Sequence, residues 1–291
     1  MNTDKTSPGR ICYVNGAFVP EADAKVSIFD RAFLFGDGVY EVSTVLDGRL
    51  VDNAAHLGRL RRSLRELSMT IPWSDQEIVA IQKELIARNQ LQEGVVYLQI
   101  TRGAADRNFT FPKDAAPTLV MFTQGQNAVN APAAINGMRV ITRPDIRWDR
   151  CDIKTVQLLA ACLAKQAAKE AGVDDAWFVD NGYVTEGSSN NAYILDREGV
   201  IITRQLGSEI LPGITRKAVL SLAAELNLRV EERPFSVEEA KAAQEAFITS
   251  ASTFVTPVTH IDGVAIGDGK PGPVAQRLRQ RYLEFARATA E

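Results

Sequence analysis

Lys154 ends a polar, charge-rich turn, Arg147-Trp-Asp-Arg-Cys-Asp-Ile-Lys154, and an apolar stretch with helical character, Val156-Gln-Leu-Leu-Ala-Ala-Cys-Leu-Ala164, follows at once. Downstream, Glu186 is the one ionisable carboxylate in the otherwise uncharged run from Asn181 to Leu195. Taken singly, each has a plain reading. A lysine beside a helix start is a solvated charge, and Thr185-Glu186-Gly187 is a turn. Together they are an amine able to form a Schiff base and an acid able to keep a ring nitrogen protonated, which is what pyridoxal phosphate chemistry asks of a protein.

A pyridoxal site also needs an anion cradle. Glu209-Ile-Leu-Pro-Gly213-Ile-Thr-Arg-Lys-Ala218 supplies one: Pro-Gly permits close backbone approach, and the N–H groups of Ile214 and Thr215 open a helix at its positive end. Ile248-Thr-Ser-Ala-Ser-Thr253 offers a second run of small hydroxyl residues after a strand, suited to the same anion. Arg59, on a helix after His56, adds charge. Two other glycine-rich segments are set aside. Gly36-Asp-Gly-Val-Tyr-Glu41 lacks the third glycine of a dinucleotide fingerprint and runs into a β-branched stretch. Gly267-Asp-Gly-Lys-Pro-Gly272 has the wrong spacing for a phosphate loop and reads as a surface turn.

Composition narrows the alternatives. A chain of 291 residues with 45% apolar and 24% charged residues is an ordinary globular protein of about two domains. Its 36 acids against 33 bases leave no electrostatic footprint for nucleic acid or a membrane surface. The polar N-terminus carries no apolar signal region, and no stretch reaches the ~18 apolar residues of a spanning helix. Cys12, Cys151 and Cys162 are odd in number and widely spaced, as expected of reduced thiols in a cytoplasmic protein. With only His56 and His260, histidine-based metal sites and Ser-His-Asp relays have few candidates, and no metal is expected. Both histidines read as packed or solvated.

The elements that must position these residues follow from pattern. Ile11–Val19 forms a hairpin about Asn15-Gly16, and Val39–Leu46 with Arg49–Val51 forms another about Asp47-Gly48. Leu57, Leu60, Leu64 and Leu67 stripe a helix from about Ala54 to Leu67, and Ser74-Asp-Gln-Glu77 is a capping box opening a helix through Arg88. Strands are expected at Val95–Thr101, Thr118–Thr123, Met138–Thr142, Asp175–Val179, Asn191–Leu195 and Val200–Thr203. Helices are expected at about Val156–Ala171, Thr215–Leu226, Val237–Ala243 and Pro273–Ala288. Residues 124–137 lack periodicity and read as a linker between a small α/β domain, 1–123, and a large domain, 138–291.

The set Asp37-Gly-Val-Tyr-Glu41, Arg59, Arg147–Lys154, Thr185-Glu186-Gly, Leu211-Pro-Gly-Ile-Thr215-Arg and Thr249–Pro257 resembles the fold-type IV (class IV) pyridoxal-phosphate aminotransferases. Within that group the chain is most similar to the D-amino-acid transaminases, and the resemblance runs from Tyr13 to the turn at 269–273. It implies a two-domain α+β or α/β fold with pyridoxal 5′-phosphate between the domains. It makes Lys154 the Schiff-base lysine and proton shuttle, and Glu186 the partner of the pyridinium nitrogen. Arg59, Ile214, Thr215 and Ser250 would hold the phosphate, and Leu211 would pack on the ring. Tyr40 and Arg107 match the residues used around the substrate α-carboxylate, the arginine reaching in from the partner of a homodimer. Physical chemistry agrees on Arg107: a planar guanidinium gives a carboxylate two parallel bonds. A buried Glu186 should be hydrogen-bonded all round to offset its desolvation.

Two positions depart from that pattern. Phe109 stands two residues after Arg107 where D-amino-acid transaminases have histidine, so the substrate pocket gains an apolar side. Ala251, at a cofactor-binding position, replaces a threonine hydroxyl for the phosphate; Ser252 next door, which with Tyr40, Arg107 and Phe109 is expected at the substrate, can compensate for it. The expected activity is ping-pong amino transfer between D-amino acids and 2-oxo acids. Phe109 keeps (R)-primary amines and branched-chain L-amino acids open as alternative donors. A non-enzymatic binder on the same scaffold is a third reading, disfavoured because Lys154 and Glu186 are both present.

Overall fold

A computed structural model describes residues 9–291; the polar N-terminal stretch Met1–Pro8 lies outside them. Contacts divide the chain into two compact units. The first runs to Gln126 and takes in Lys154–Val156 and Ala290–Glu291; the second comprises Asn127–Ile153 and Gln157–Thr289.

In the first unit, β1 (Ile11–Val14) and β2 (Ala17–Pro20) form the hairpin about Asn15-Gly16, followed by a short helix α1 (Arg31–Phe35). Next come β3 (Gly38–Leu46), β4 (Arg49–Leu50), α2 (Asn53–Glu66), α3 (Asp75–Arg88), β5 (Glu93–Thr101) and β6 (Thr118–Gly125). The six strands make one antiparallel sheet in the order β2-β1-β6-β5-β3-β4. The leucine stripe of α2 works as its spacing requires: Leu57, Leu60 and Leu64 are buried. Each contributes about 1.5–3 kcal/mol of transfer free energy. Ser74 and Glu77 close both arms of the capping box at α3. The C-terminal Glu291 pairs with Leu50 through both backbone bonds, 2.9 Å each.

The second unit begins with α4 (Pro132–Asn136), inside the segment read as a linker, whose first residues belong to β6. It continues with β7 (Met138–Pro144), α5 (Leu159–Glu170), β8 (Asp175–Asp180), β9 (Tyr183–Gly187), β10 (Asn191–Leu195) and β11 (Val200–Thr203). It ends with α6 (Ile214–Glu225), β12 (Arg229–Glu232), α7 (Val237–Ala242), β13 (Glu245–Ser250), β14 (Phe254–Ile261), β15 (Val264–Ala265) and α8 (Pro273–Thr289). The sheet order is β12-β11-β10-β13-β14-β7-β8-β9, with β15 on β14. Its core is Trp177, Phe235, Ile194, Ile248 and their neighbours. The parallel pair β7 and β8 is joined by a crossover through α5, whose Ala164 and Ala168 lie against Ala176 and Phe178.

Two expectations change here. The helix after Lys154 starts at Leu159 and not at Val156, because Thr155 and Val156 pair with β3. Thr185-Glu186-Gly187 is the end of strand β9 and not a turn.

The loop at 103–112 is tied to α1. The Arg31 N–H donates to Gly103 O at 2.9 Å, and Arg31 Nη1 to Asn108 O at 2.6 Å. Asp37 holds Arg31 (2.7 Å) and Arg102 (2.8 Å), and Arg102 lies 3.6 Å over the Phe111 ring. Gly103 has φ +98, and a Cβ there would meet Ala116 O at 1.9 Å. Gly103→Ala should therefore cost about 1–3 kcal/mol in urea unfolding. Unchanged stability would show that this loop is not held as described.

Candidate active site

Lys154 sits on the sheet of the first unit as a fragment of strand. Its carbonyl accepts the Tyr40 N–H (3.0 Å), the Val156 N–H donates to Gly38 O (3.1 Å), and Ser63 Oγ accepts the Lys154 N–H (3.3 Å). The amine, Nζ, donates to the Tyr40 hydroxyl at 3.3 Å and lies 4.3 Å from the ring centroid. Tyr40 stacks on Tyr97 (5.5 Å), and Tyr97 on Phe122 (4.7 Å). Burial, with Tyr40 adding to it, pushes the Tyr97 hydroxyl above the ordinary phenol range. It stays protonated and donates to Gln99 at 2.9 Å.

Strand alternation sends the next side chain, Glu41, to the opposite face, against α2. There Arg59 grips it side-on, Nε to Oε1 at 2.9 Å and Nη2 to Oε2 at 2.8 Å, and His56 Nδ1 lies 2.7 Å from Oε2. Burial acts to raise the Glu41 pKa, but the Arg59 charge and the bonds from Arg59 and His56 outweigh it and bring it to about 2. An ionised Glu41 only accepts, so His56 Nδ1 carries the proton of this contact. Arg59 is thus a paired cation, and His56 is the packed histidine expected. The sequence signal was present: His56, Arg59 and Ser63 are polar yet interleave with the buried leucines of α2.

Arg107 is exposed, its guanidinium 5.4 Å from the Phe35 ring centroid and 5.3 Å from that of Phe109, which is 77% exposed.

In the second unit Glu186 is 5% exposed and fully engaged. Arg147 Nη1 donates to Oε1, while Asn191 Nδ2 (3.0 Å) and the Leu211 N–H (3.1 Å) donate to Oε2. Arg147 also binds Asp145 (2.7 Å), Thr185 Oγ1 (3.3 Å) and Glu209 O (3.0 Å). Burial would lower the Arg147 pKa, but its bond to Asp145 and the charges of Glu186 and Asp145 raise it. Asn191 links this acid to the helix beyond. Its Nδ2 also donates to Leu211 O at 3.0 Å, and a Cβ on Gly213 would strike its Oδ1 at 2.1 Å. Gly213 caps α6 without any side-chain bond, so the first N–H groups of the helix, at Ile214 and Thr215, have no intrahelical partner. In register with Asn191 lies Thr249, next to the turn where Ser250 Oγ meets Thr253 Oγ1 (2.7 Å) and Ser252 Oγ (3.3 Å). Ala251 lies in that turn and adds no hydroxyl.

These groups suit a phosphorylated pyridine. Glu186, paired with the Arg147 cation, has the chemistry to accept a ring N–H, an uncapped helix end could take a phosphate, and a Cβ-free Gly213 would let it come close. Of the predicted residues the structure joins Lys154 to Tyr40, Glu186 to Leu211, Arg107 to Phe109, and Ser250 to Ser252. It adds Glu41, Ser63, Arg147 and Asn191, residues whose roles are not legible in the sequence.

A family model for class IV amino-transferases matches residues 38–261. This chain belongs to the class IV aminotransferases. The D-alanine aminotransferase of Staphylococcus aureus (strain N315) is 38% identical over 274 residues, covering 94% of this chain and 96% of that protein. That of Listeria monocytogenes serotype 4b (strain F2365) is 39% identical over 274 residues, covering 93% and 94%. Among solved structures, the branched-chain amino acid aminotransferase of Escherichia coli superposes with a TM-score of 0.89 at 25% identity, over 97% of this chain and 96% of that one. A second branched-chain amino acid aminotransferase, from T.th. and solved with pyridoxamine 5′-phosphate, gives 0.87 at 30% identity, over 96% and 94%. As a class IV aminotransferase the chain is a pyridoxal-phosphate enzyme.

Glu41→Gln leaves Arg59 and His56 without their shared carboxylate and should cost on the order of 3 kcal/mol near pH 7. The Glu41 pKa falls on folding, from 4.5 to about 2, so its contribution is complete above about pH 5 and fades as pH drops toward 2. Urea unfolding of both proteins from pH 7 to 3 should show the gap narrowing. A gap that is constant or widens on acidification contradicts the assignment.

Proposed function

We propose that this aminotransferase moves the amino group of D-amino acids to 2-oxo acids in two half-reactions. The observation that carries the donor class is the 38% identity over 274 residues to a protein named D-alanine aminotransferase; Tyr40 and Arg107 would be the carboxylate partners. The cofactor, when bound, supplies an electron sink for the bonds at the donor's α-carbon.

The chain's own residues do the rest. Lys154 Nζ is the amine that holds the cofactor's aldehyde and carries the proton at the donor's α-carbon; its contact with the Tyr40 hydroxyl aims it. Glu186, held by Arg147, would accept the ring N–H. The N–H groups of Ile214 and Thr215, the hydroxyls of Ser250 and Ser252, and Arg59 take the phosphate; Ala251 adds backbone only, and Leu211 packs on the ring. Glu41 sets the plane of the Arg59 guanidinium before any ligand arrives.

Arg107 reaches the substrate carboxylate of the partner subunit in a homodimer, and the exposure of Arg107 and Phe109 supports this role. The enzyme works in the cytoplasm. Phe109 favours a second reading, with (R)-primary amines as donors, because a ring replaces a hydrogen-bonding side chain there. Branched-chain L-amino acids are a third donor class, suggested by structural neighbours named for them.

Adding D-alanine, (R)-1-phenylethylamine or L-leucine separately to loaded enzyme, and following the absorbance of the lysine-bound cofactor, separates these readings. D-alanine should bleach it fastest; bleaching by L-leucine alone overturns the proposal. Arg107→Ala should cut D-alanine turnover by about 100-fold, at least tenfold more than any loss with (R)-1-phenylethylamine. Equal losses would remove Arg107 from carboxylate binding.

A further inference from the structure

Arg279, on α8, is 8% exposed and holds only carbonyl oxygens. Nη1 donates to Thr253 O and Val255 O, 2.7 Å each, and Nη2 to Ala128 O (2.6 Å) and Val129 O (2.9 Å). Among the described residues no carboxylate pairs with it. Other arginines of the second unit differ: the half-buried Arg147 has Asp145 and Glu186, and the buried Arg216 has Glu232. Burial alone brings the Arg279 pKa down to about 10, so near neutral pH it is still a cation. A buried cation without a counter-charge is costly, and an anion arriving nearby would offset that cost.

The carbonyls it holds belong to a particular turn. Thr253 closes the hydroxyl run after β13, where its N–H donates to Ser250 Oγ (3.1 Å) and its Oγ1 meets the same oxygen (2.7 Å). Phe254, the next residue, has φ +62, a left-handed conformation that a bulky side chain rarely adopts. Its ring is buried, 5.5 Å from the Arg279 guanidinium and 5.6 Å from Tyr282. Arg279 therefore holds Thr253 O and Val255 O, groups that would repel an anion, on its own side of a strained turn.

We propose that Arg279 is a positioning residue that poises the Ser250–Thr253 turn for a phosphate, and that this phosphate is the counter-charge the buried guanidinium lacks. The inference rests on the reading that this turn binds the cofactor's phosphate.

The test compares pyridoxal 5′-phosphate with pyridoxal, which lacks the phosphate, by equilibrium binding to wild type, Arg279→Gln and Arg279→Lys. The readout is the ratio of the two dissociation constants. In Arg279→Gln the preference for the phosphorylated form should fall at least tenfold, as expected for removing one nearby charge from a poorly screened protein interior. In Arg279→Lys, which keeps the charge, it should stay within about threefold of wild type. An unchanged preference in the Gln variant, or an equal fall in the Lys variant, overturns the proposal. Should the Gln variant not fold, the Lys variant decides alone, a tenfold fall counting against. Separately, inorganic phosphate should raise the melting temperature of wild-type apoprotein, and Ser250→Ala should remove that rise. A wild type that gains nothing from phosphate and shows no preference overturns the phosphate reading of the turn itself, a different result from a wild type that discriminates and variants that do so equally.

Discussion

Three hydrogen bonds to the backbone of residues 154–156 decide most of what the first unit can do. Tyr40 N–H to Lys154 O, Val156 N–H to Gly38 O, and Lys154 N–H to Ser63 Oγ make the lysine a short extra strand beside β3. Backbone pairing of this kind fixes register, and a slip of one residue would exchange the faces of every side chain. In the register observed, Tyr40 meets the lysine amine while Glu41 points to α2 and takes Arg59. The lysine amine, its hydroxyl neighbour and a cation's anchor thus all follow from one pairing.

Electrostatics follows one rule in both units. Arg59 lies on Glu41, and Glu186 lies on Arg147, which is shared with Asp145. Buried pairs of this kind are weak sources of stability but strong sources of orientation, since breaking one leaves an unpaired buried charge. Arg147 pairs with the Glu186 carboxylate, and Glu41 keeps a guanidinium in a fixed plane. Asn191 extends the frame, touching Glu186, Leu211 and the crowded Gly213 at the head of α6. The acid and the uncapped helix end are therefore parts of one rigid piece.

Much of this was legible in the chain. The Asn15-Gly16 and Asp47-Gly48 hairpins, the leucine stripe of α2 and the Ser74–Glu77 capping box each rest on contacts a few residues apart, and local pattern reports local contacts well. Glu186 stood out because its neighbours are uncharged, and Lys154 because an apolar stretch follows its charged turn at once. What stayed hidden depends on distant partners. Glu41 reaches Arg59 across 18 residues and Lys154 meets Tyr40 across 114, so neither spacing carries a signal. The helix after Lys154 started late for the same reason: Thr155 and Val156 have good helical neighbours, and a distant strand wins them. The segment 124–137, within which the two units divide after Gln126, also holds a five-residue helix and a strand end too short for periodicity to show. Arg279 drew no attention because nothing in an amphipathic helix marks which arginine turns inward.

Both the chemistry and the frame built around it depend on which nitrogen takes the cofactor. Borohydride reduction of the loaded enzyme, proteolysis and mass spectrometry locate the fixed pyridoxyl group directly. It should be found on the peptide containing Lys154 and on no other, with one group per chain. A reduced adduct on another lysine, or none at all, would contradict it.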